Sequence, residues 1–307
     1  MIPAPLTKWW TEFWFTPTSP APICLFRIFF GLLVLATGLL LAPDLYTWFG
    51  SHPVISQQSV HDWELSEPRF SIFFFLPDSD SIALSVFATL MVSASCLTLG
   101  LFTRVSALVV FVCLCSLDQR MACMMNSGDT ILRHQALLLT FSEAGALFSL
   151  DRIRSRSKQS QSDQSFLVSP WAQRLLQLQI ALVYFQTFFS KLEHPQWLDG
   201  TALYYCSRLT DFARSPSPIL FDHLWIYQVL CWMTLAVELA LFTLIWWQKT
   251  RYPVLIIGTI FHLCIDATMN IPVFEYIMMA SYINFLKPAD VFRLKKWCAG
   301  IWPATKL

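Results

Sequence analysis

The segment "KLEHPQWLDG", Lys191 to Gly200, follows the apolar run "IALVYFQTFFS". Ionisable and aromatic residues therefore crowd the point where a hydrophobic helix stops. A lysine there can be an interfacial anchor whose long stem carries the ammonium back to water. Held instead among Phe188, Phe189 and Trp197 and away from water, the amine can shed its proton and act as a base. Both readings stay open on spacing alone. In "FHLCIDATMNIPVFEY", His262 and Asp266 lie four residues apart on one helix face, so the carboxylate is placed to fix the imidazole tautomer. Asn270 and Glu275 add polar groups just beyond. In "NSGDTILRHQ", Asp129 or Thr130 is placed to cap a helix after an Asn126-Ser127-Gly128 turn, with Asp129 and Arg133 spaced to pair. That cluster, with His134, reads either as a cap with an ion pair or as the polar lining of a cavity. Glu143 and Glu238 fall inside apolar runs, where a carboxylate is neutral or paired and serves as a proton carrier or a helix-pairing group. Arg27, one turn into the first apolar run, reads as a snorkelling side chain. The nine cysteines form no C-x-x-C and no zinc spacing, so no metal is expected and they read as small hydrophobes.

Such groups need a scaffold, and the composition says which. Of 307 residues 55% are hydrophobic and 13% charged, against about 25% charge in soluble domains. With 26 Phe, 13 Trp and 8 Tyr, this much apolar surface points to an integral membrane protein. The expected fold is an all-α, polytopic helical bundle. Eight candidate spans cover 22–42, 81–101, 105–121, 131–149, 172–190, 223–247, 253–270 and 272–287. The last two are also readable as one broken or re-entrant helix. With both termini cytoplasmic, eight spans put 14 basic residues on the cytoplasmic side and six on the other, as the positive-inside rule asks. The aromatic lead-in from Trp9 to Phe15 reads as an interfacial helix, with the first run a retained span. The serine-rich, basic stretch 150–170 is expected to be a cytoplasmic linker between two four-helix halves of one domain covering 1–307. Topology accounts for its charge without nucleic acid. On the opposite face, 43–80 and 191–222 are too aromatic for plain connectors and should form short interfacial helices over the bundle opening.

These residues also carry a resemblance. In chain order, "NSGDTILR", "KLEHPQWLDGTALYY" and "HLCIDATMNIPVFEYIMMASYINFL" resemble motifs of the HTTM family, membrane proteins similar to the transmembrane part of vitamin K-dependent gamma-glutamyl carboxylase. The resemblance implies quinol-coupled proton abstraction and epoxidation, a lyase-type chemistry that carboxylates glutamyl side chains. Lys191 would be the base that starts the cycle, and His262 would help to form the quinone-side site. It also implies a vitamin K hydroquinone-like cofactor, with Asn126, Asp129, His134, Trp197, Asp266 and Asn270 as its surroundings. Membrane lipid and a peptide or protein substrate would be the partners, in a bacterial inner membrane. The sequence departs from the animal carboxylase in two places. Ser127 follows Asn126 where that family has a histidine, and no C-terminal extramembrane domain is expected here. Short bacterial members resemble a membrane component of toxin maturation or export. A DoxX-like quinone-binding redox protein is a further alternative, and either would lack carboxylase activity.

Overall fold

In this computed structural model the structure describes residues 4–62, 69–121, 126–156, 166–210, 213–214 and 223–301. Among them the fold is all-α, and pairing between extended segments is limited to two isolated bridges. The helices are α1 (Ala4–Phe15), α2 (Ala21–Leu41), α3 (Leu45–Phe49), α4 (Gln57–Asp62), α5 (Asp80–Leu99), α6 (Thr103–Arg120), α7 (Ser127–Thr140) and α8 (Leu150–Arg156). They continue as α9 (Trp171–Leu192), α10 (Pro195–Leu198), α11 (Ala202–Cys206), α12 (Leu224–Thr243), α13 (Arg251–Thr268), α14 (Phe274–Ser281) and α15 (Pro288–Ile301). The chain divides into two compact units, Met1–Arg174 with Leu286–Leu307, and Leu175–Phe285.

The first unit is built on α2, α5, α6 and α7, which pack in that order along the chain. Small residues set the approach of α2 to α5: a Cβ on Gly31 would fall 2.2 Å from Thr98 Oγ1. Helix α5 closes on Gly100 (φ +69°), with the Leu101 N–H donating to the Cys96 carbonyl at 2.8 Å. Arg27 does not snorkel. It is fully buried, and its guanidinium donates to the carbonyls of Leu97 (3.2 Å) and Phe148 (2.6 Å), satisfying acceptors that the end of α5 and the loop before α8 leave open.

Span four is the clearest revision. The apolar run from 131 to 149 is continuous in composition, yet α7 stops at Thr140, giving roughly 21 Å of helix against about 30 Å of bilayer core. Ser142 ends it, its hydroxyl donating to the Leu139 carbonyl and accepting from the Ala144 N–H. Glu143 therefore lies in a loop, paired with Arg104, and both are well exposed. The N-terminal cap is Asn126, not Asp129 or Thr130. Its Oδ1 accepts from the N–H groups of Gly128 and Asp129, while Asp129 Oδ2 accepts from the Asn126 N–H, a full capping box. With Asp129 so used, Arg133 faces Asp118 of α6 at 3.9 Å.

The expected linker begins as helix α8, whose Asp151 accepts from the N–H groups of Phe102 and Thr103 and so caps α6. Its central part, 157–165, lies outside the described residues, as do 63–68, 211–212 and 215–222 of the two long segments expected on the other face.

By length and composition three helical stretches can cross a membrane: Ala21–Phe49, Asp80–Leu99 and Leu224–Trp246. The sequence reading has eight. Helices α6, α9 and α13 have 18, 22 and 18 residues, but charged or amide side chains interrupt their apolar runs. Large apolar side chains on the outside of these helices, such as Leu39, Val92, Trp225 and Ile256, suit lipid rather than water. The chain is an integral membrane protein on this composition.

Candidate functional site

The second unit gathers the chemistry. Helix α9 carries Tyr184 and Lys191 seven residues apart, about two turns, on one face. Lys191 Nζ donates to Glu238 Oε1 of α12 at 2.6 Å and sits 5.0 Å from the centre of the Trp197 ring. The lysine side chain is 19% exposed and the glutamate 6%. This is a partly buried pair, not a lysine at large in water. Thr187 lies close by, but its hydroxyl donates to the Tyr184 carbonyl at 3.2 Å. Glu238 Oε2 is thus buried without a hydrogen-bond donor among the described residues. Phe185, Phe188 and Phe189 close on Phe242 of α12, with ring centres 5.5–6.3 Å apart, and keep the flank of the pair apolar.

The spacing of "PQWLDG" explains how Trp197 reaches the lysine. Pro195 starts α10 one turn after α9 ends, and α10 holds Trp197. Gly200 then turns at φ +81°, where a Cβ would fall 2.6 Å from Gln228 Cα, so only glycine lets this turn lie against α12. Trp232 Nε1 donates to the Leu198 carbonyl at 3.1 Å and Cys231 Sγ to the Gly200 carbonyl at 3.3 Å. The turn is thereby fixed to the helix that carries Glu238.

Helix α13 supplies His262, which is 2% exposed. Its partner is not Asp266. Nδ1 pairs with Glu275 Oε2 of α14, and Nε2 meets the Tyr184 hydroxyl at 2.6 Å. The Tyr184 hydroxyl in turn meets that of Tyr282 at 2.6 Å. Asp266 faces outward, accepting from Arg214 (3.1 Å) and from the Tyr276 hydroxyl (2.9 Å). The turn after α13 decides this: Val273 adopts φ +64°, a conformation that a β-branched residue rarely holds, and folds α14 back so that Glu275 meets α13. Asn270 is exposed in that turn.

Among the residues singled out in sequence, Lys191 and Trp197 come together, and His262 lies deeper in the same unit. Asn126, Asp129 and His134 belong to the other unit. There Asp129 lines a cavity of about 260 Å³ with Asp118, Asp44, Trp48 and Phe49, whereas His134 is exposed. Sequence reasoning left Glu238 as one of two options, took Glu275 as a peripheral group, and missed Tyr184 and Tyr282. The seven-residue spacing of Tyr184 and Lys191 was an available signal. So was the Asn-Ile-Pro turn, which sets 262 and 275 on facing arms.

An HTTM domain model matches residues 15–289, nearly the whole chain and both units. The protein belongs to the HTTM family. The Bacillus subtilis (strain 168) protein named "Uncharacterized protein YitO" is 27% identical over 123 residues, 38% of this chain. That match spans 39% of the relative's own length. No solved structure matches.

Proposed function

We propose that this HTTM protein is a membrane enzyme that takes a proton from a lipid-soluble hydroquinone, with Lys191 as the base. Carboxylation of glutamyl side chains, as in the vitamin K-dependent reaction, completes the proposed activity. The observation that carries the reading is the Lys191–Glu238 pair at 2.6 Å, flanked by Trp197 and a phenylalanine cluster. An ammonium and a carboxylate taken from water lose solvation. Transfer of one proton along their hydrogen bond leaves an amine and a carboxylic acid with no net charge. The amine lone pair is then free to accept a proton, and Glu238 holds the one it received.

The residues fit such a ligand. Glu238 Oε2 and Glu275 Oε1 are buried acceptors without donors among the described residues, and the aromatic flank offers an apolar surface. A hydroquinone has two hydroxyl donors on an apolar ring. When bound, it supplies an acidic hydroxyl and reducing electrons for reaction with oxygen. Lys191 accepts the proton, Trp197 restrains the ammonium that results, and His262 forms part of the quinone-side surroundings. Roles for Asn126, Asp129, His134, Asp266 and Asn270 rest on the family resemblance alone.

The accompanying topology is eight crossings of a bacterial inner membrane with both termini cytoplasmic, supported by the 14-to-6 division of basic residues. It places Lys191 on the non-cytoplasmic side; α7 then crosses only with loop 141–149 completing its path, and the eight-residue α14 only with the segments that flank it.

The test is hydroquinone epoxidation by the purified protein in lipid vesicles. Lys191→Ala should lower the rate at least about 100-fold, the scale of a lost general base, with insertion and elution volume unchanged. Full activity in that variant would rule out the assignment. An activity that needs a partner peptide and ignores hydroquinone would favour toxin maturation or export instead.

A further inference from the structure

Glu275, His262, Tyr184 and Tyr282 form one continuous hydrogen-bonded row inside the second unit, and each is no more than 4% exposed. None of the four is a surface group satisfied by water, so each proton in the row has a defined place. A carboxylate accepts only, so Glu275 Oε2 accepts a hydrogen bond from the His262 Nδ1–H. Nε2 of that imidazole is then a bare acceptor. Tyr184 donates to it, and the Tyr184 oxygen accepts from the Tyr282 hydroxyl. Gly258 makes the last contact possible: a Cβ there would fall 2.7 Å from the Tyr282 hydroxyl and 2.9 Å from Leu241 Cδ2.

We infer that Glu275 is a positioning residue that holds His262 with its proton on Nδ1, and that Tyr282, Tyr184 and His262 form a path carrying one proton into the His262–Glu275 pair. The proton balance is simple. Tyr184 gives its proton to Nε2 and receives that of Tyr282, and the incoming proton replaces the one Tyr282 gave. His262 becomes an imidazolium facing the Glu275 carboxylate, and both tyrosines end as neutral phenols. The imidazolium is acceptable in so buried a place because its counter-charge is already there. Tyr184 lies two turns below Lys191 on the same face of α9. In this proposal the row, entered at Tyr282, stores the proton that the hydroquinone chemistry releases. That last use rests on the hydroquinone reading, whereas the tautomer does not.

The two parts separate experimentally. Nitrogen NMR of protein labelled with ¹⁵N-histidine, with the His262 signals identified by loss in His262→Gln, reads the tautomer directly. The expected spectrum has a protonated Nδ1 and a bare, hydrogen-bonded Nε2. Tyr184→Phe should move the Nε2 resonance by several ppm. Glu275→Leu should move the proton off Nδ1, and Glu275→Gln, which keeps an acceptor, should restore it. A proton found on Nε2 in the unsubstituted protein, or resonances indifferent to Tyr184→Phe and Glu275→Leu, would overturn the assignment. Gly258→Ala gives a second route if Glu275→Leu does not fold, because it displaces Tyr282 and should shift the same Nε2 signal. For the path, Tyr184→Phe should lower hydroquinone turnover about tenfold with KM unchanged and reduce the solvent isotope effect. Unchanged turnover and isotope effect would remove the proton path. Loss of turnover in Tyr184→Phe with full turnover in Lys191→Ala would keep the path and reject the base.

Discussion

A lysine stem is long enough to carry its ammonium from an apolar helix end into water, and Lys191 does not use that freedom. Its ammonium turns to Glu238 and lies over Trp197, an arrangement that forfeits hydration and is maintained by one short charged hydrogen bond. Removing one partner should therefore be worse than removing both. Glu238→Ala leaves an ammonium without its counter-charge and should destabilise the protein by about 3 kcal/mol, the low end for buried pairs because Lys191 is partly exposed. The double variant Lys191→Met with Glu238→Leu should lie closer to the unsubstituted protein in thermal unfolding. Additive losses would mean that the two side chains do not interact. Lys191 itself was legible in sequence as the odd charge at a helix end. Its partner was not, because a residue 47 positions away is chosen by helix packing, which a local pattern does not record.

Helix ends mark the boundary between what composition tells and what hydrogen bonding decides. Helices α2, α5, α6, α9 and α12 run close to the limits that the apolar runs suggest, because the lipid-compatible stretch and the helix are the same object. Helix α7 is different. Its apolar run continues to 149, but Ser142 caps the chain at Thr140, and hydropathy is blind to that turn. The same helix begins on a reciprocal box between Asn126 and Asp129. Asn126→Ala should cost about 1 kcal/mol of stability through the lost cap, and Asn126→Asp should recover most of it. Denaturant midpoints of the two variants check this; equal midpoints would mean that the cap contributes nothing. The fold-back after α13 was also hidden. Spacing placed Asp266 beside His262, and the positive φ of Val273 brought Glu275 there instead.

At the scale of the whole chain, the all-α membrane class and the HTTM family were readable in advance, since they depend on bulk composition and three ordered motifs. The number of crossings was less so: three stretches meet length and apolarity together, and the other long helices mix amides and charges into their faces. Lys191 of α9 and His262 of α13 are among those interruptions, and with Glu238 of α12 and Glu275 of α14 they give the second unit an interior with ionisable groups. In the proposed function Lys191 belongs to this interior as a ligand-facing base, and competitive acylation tests that most directly. Intact protein in vesicles is treated with a membrane-permeant amine reagent, with and without 2-methyl-1,4-naphthohydroquinone, and lysine modification is quantified by mass spectrometry. Lys8, whose side chain is 78% exposed, serves as the internal reference. The prediction is that the hydroquinone protects Lys191 from the reagent several-fold while Lys8 is unaffected. No protection at Lys191 would return it to the role of an anchor.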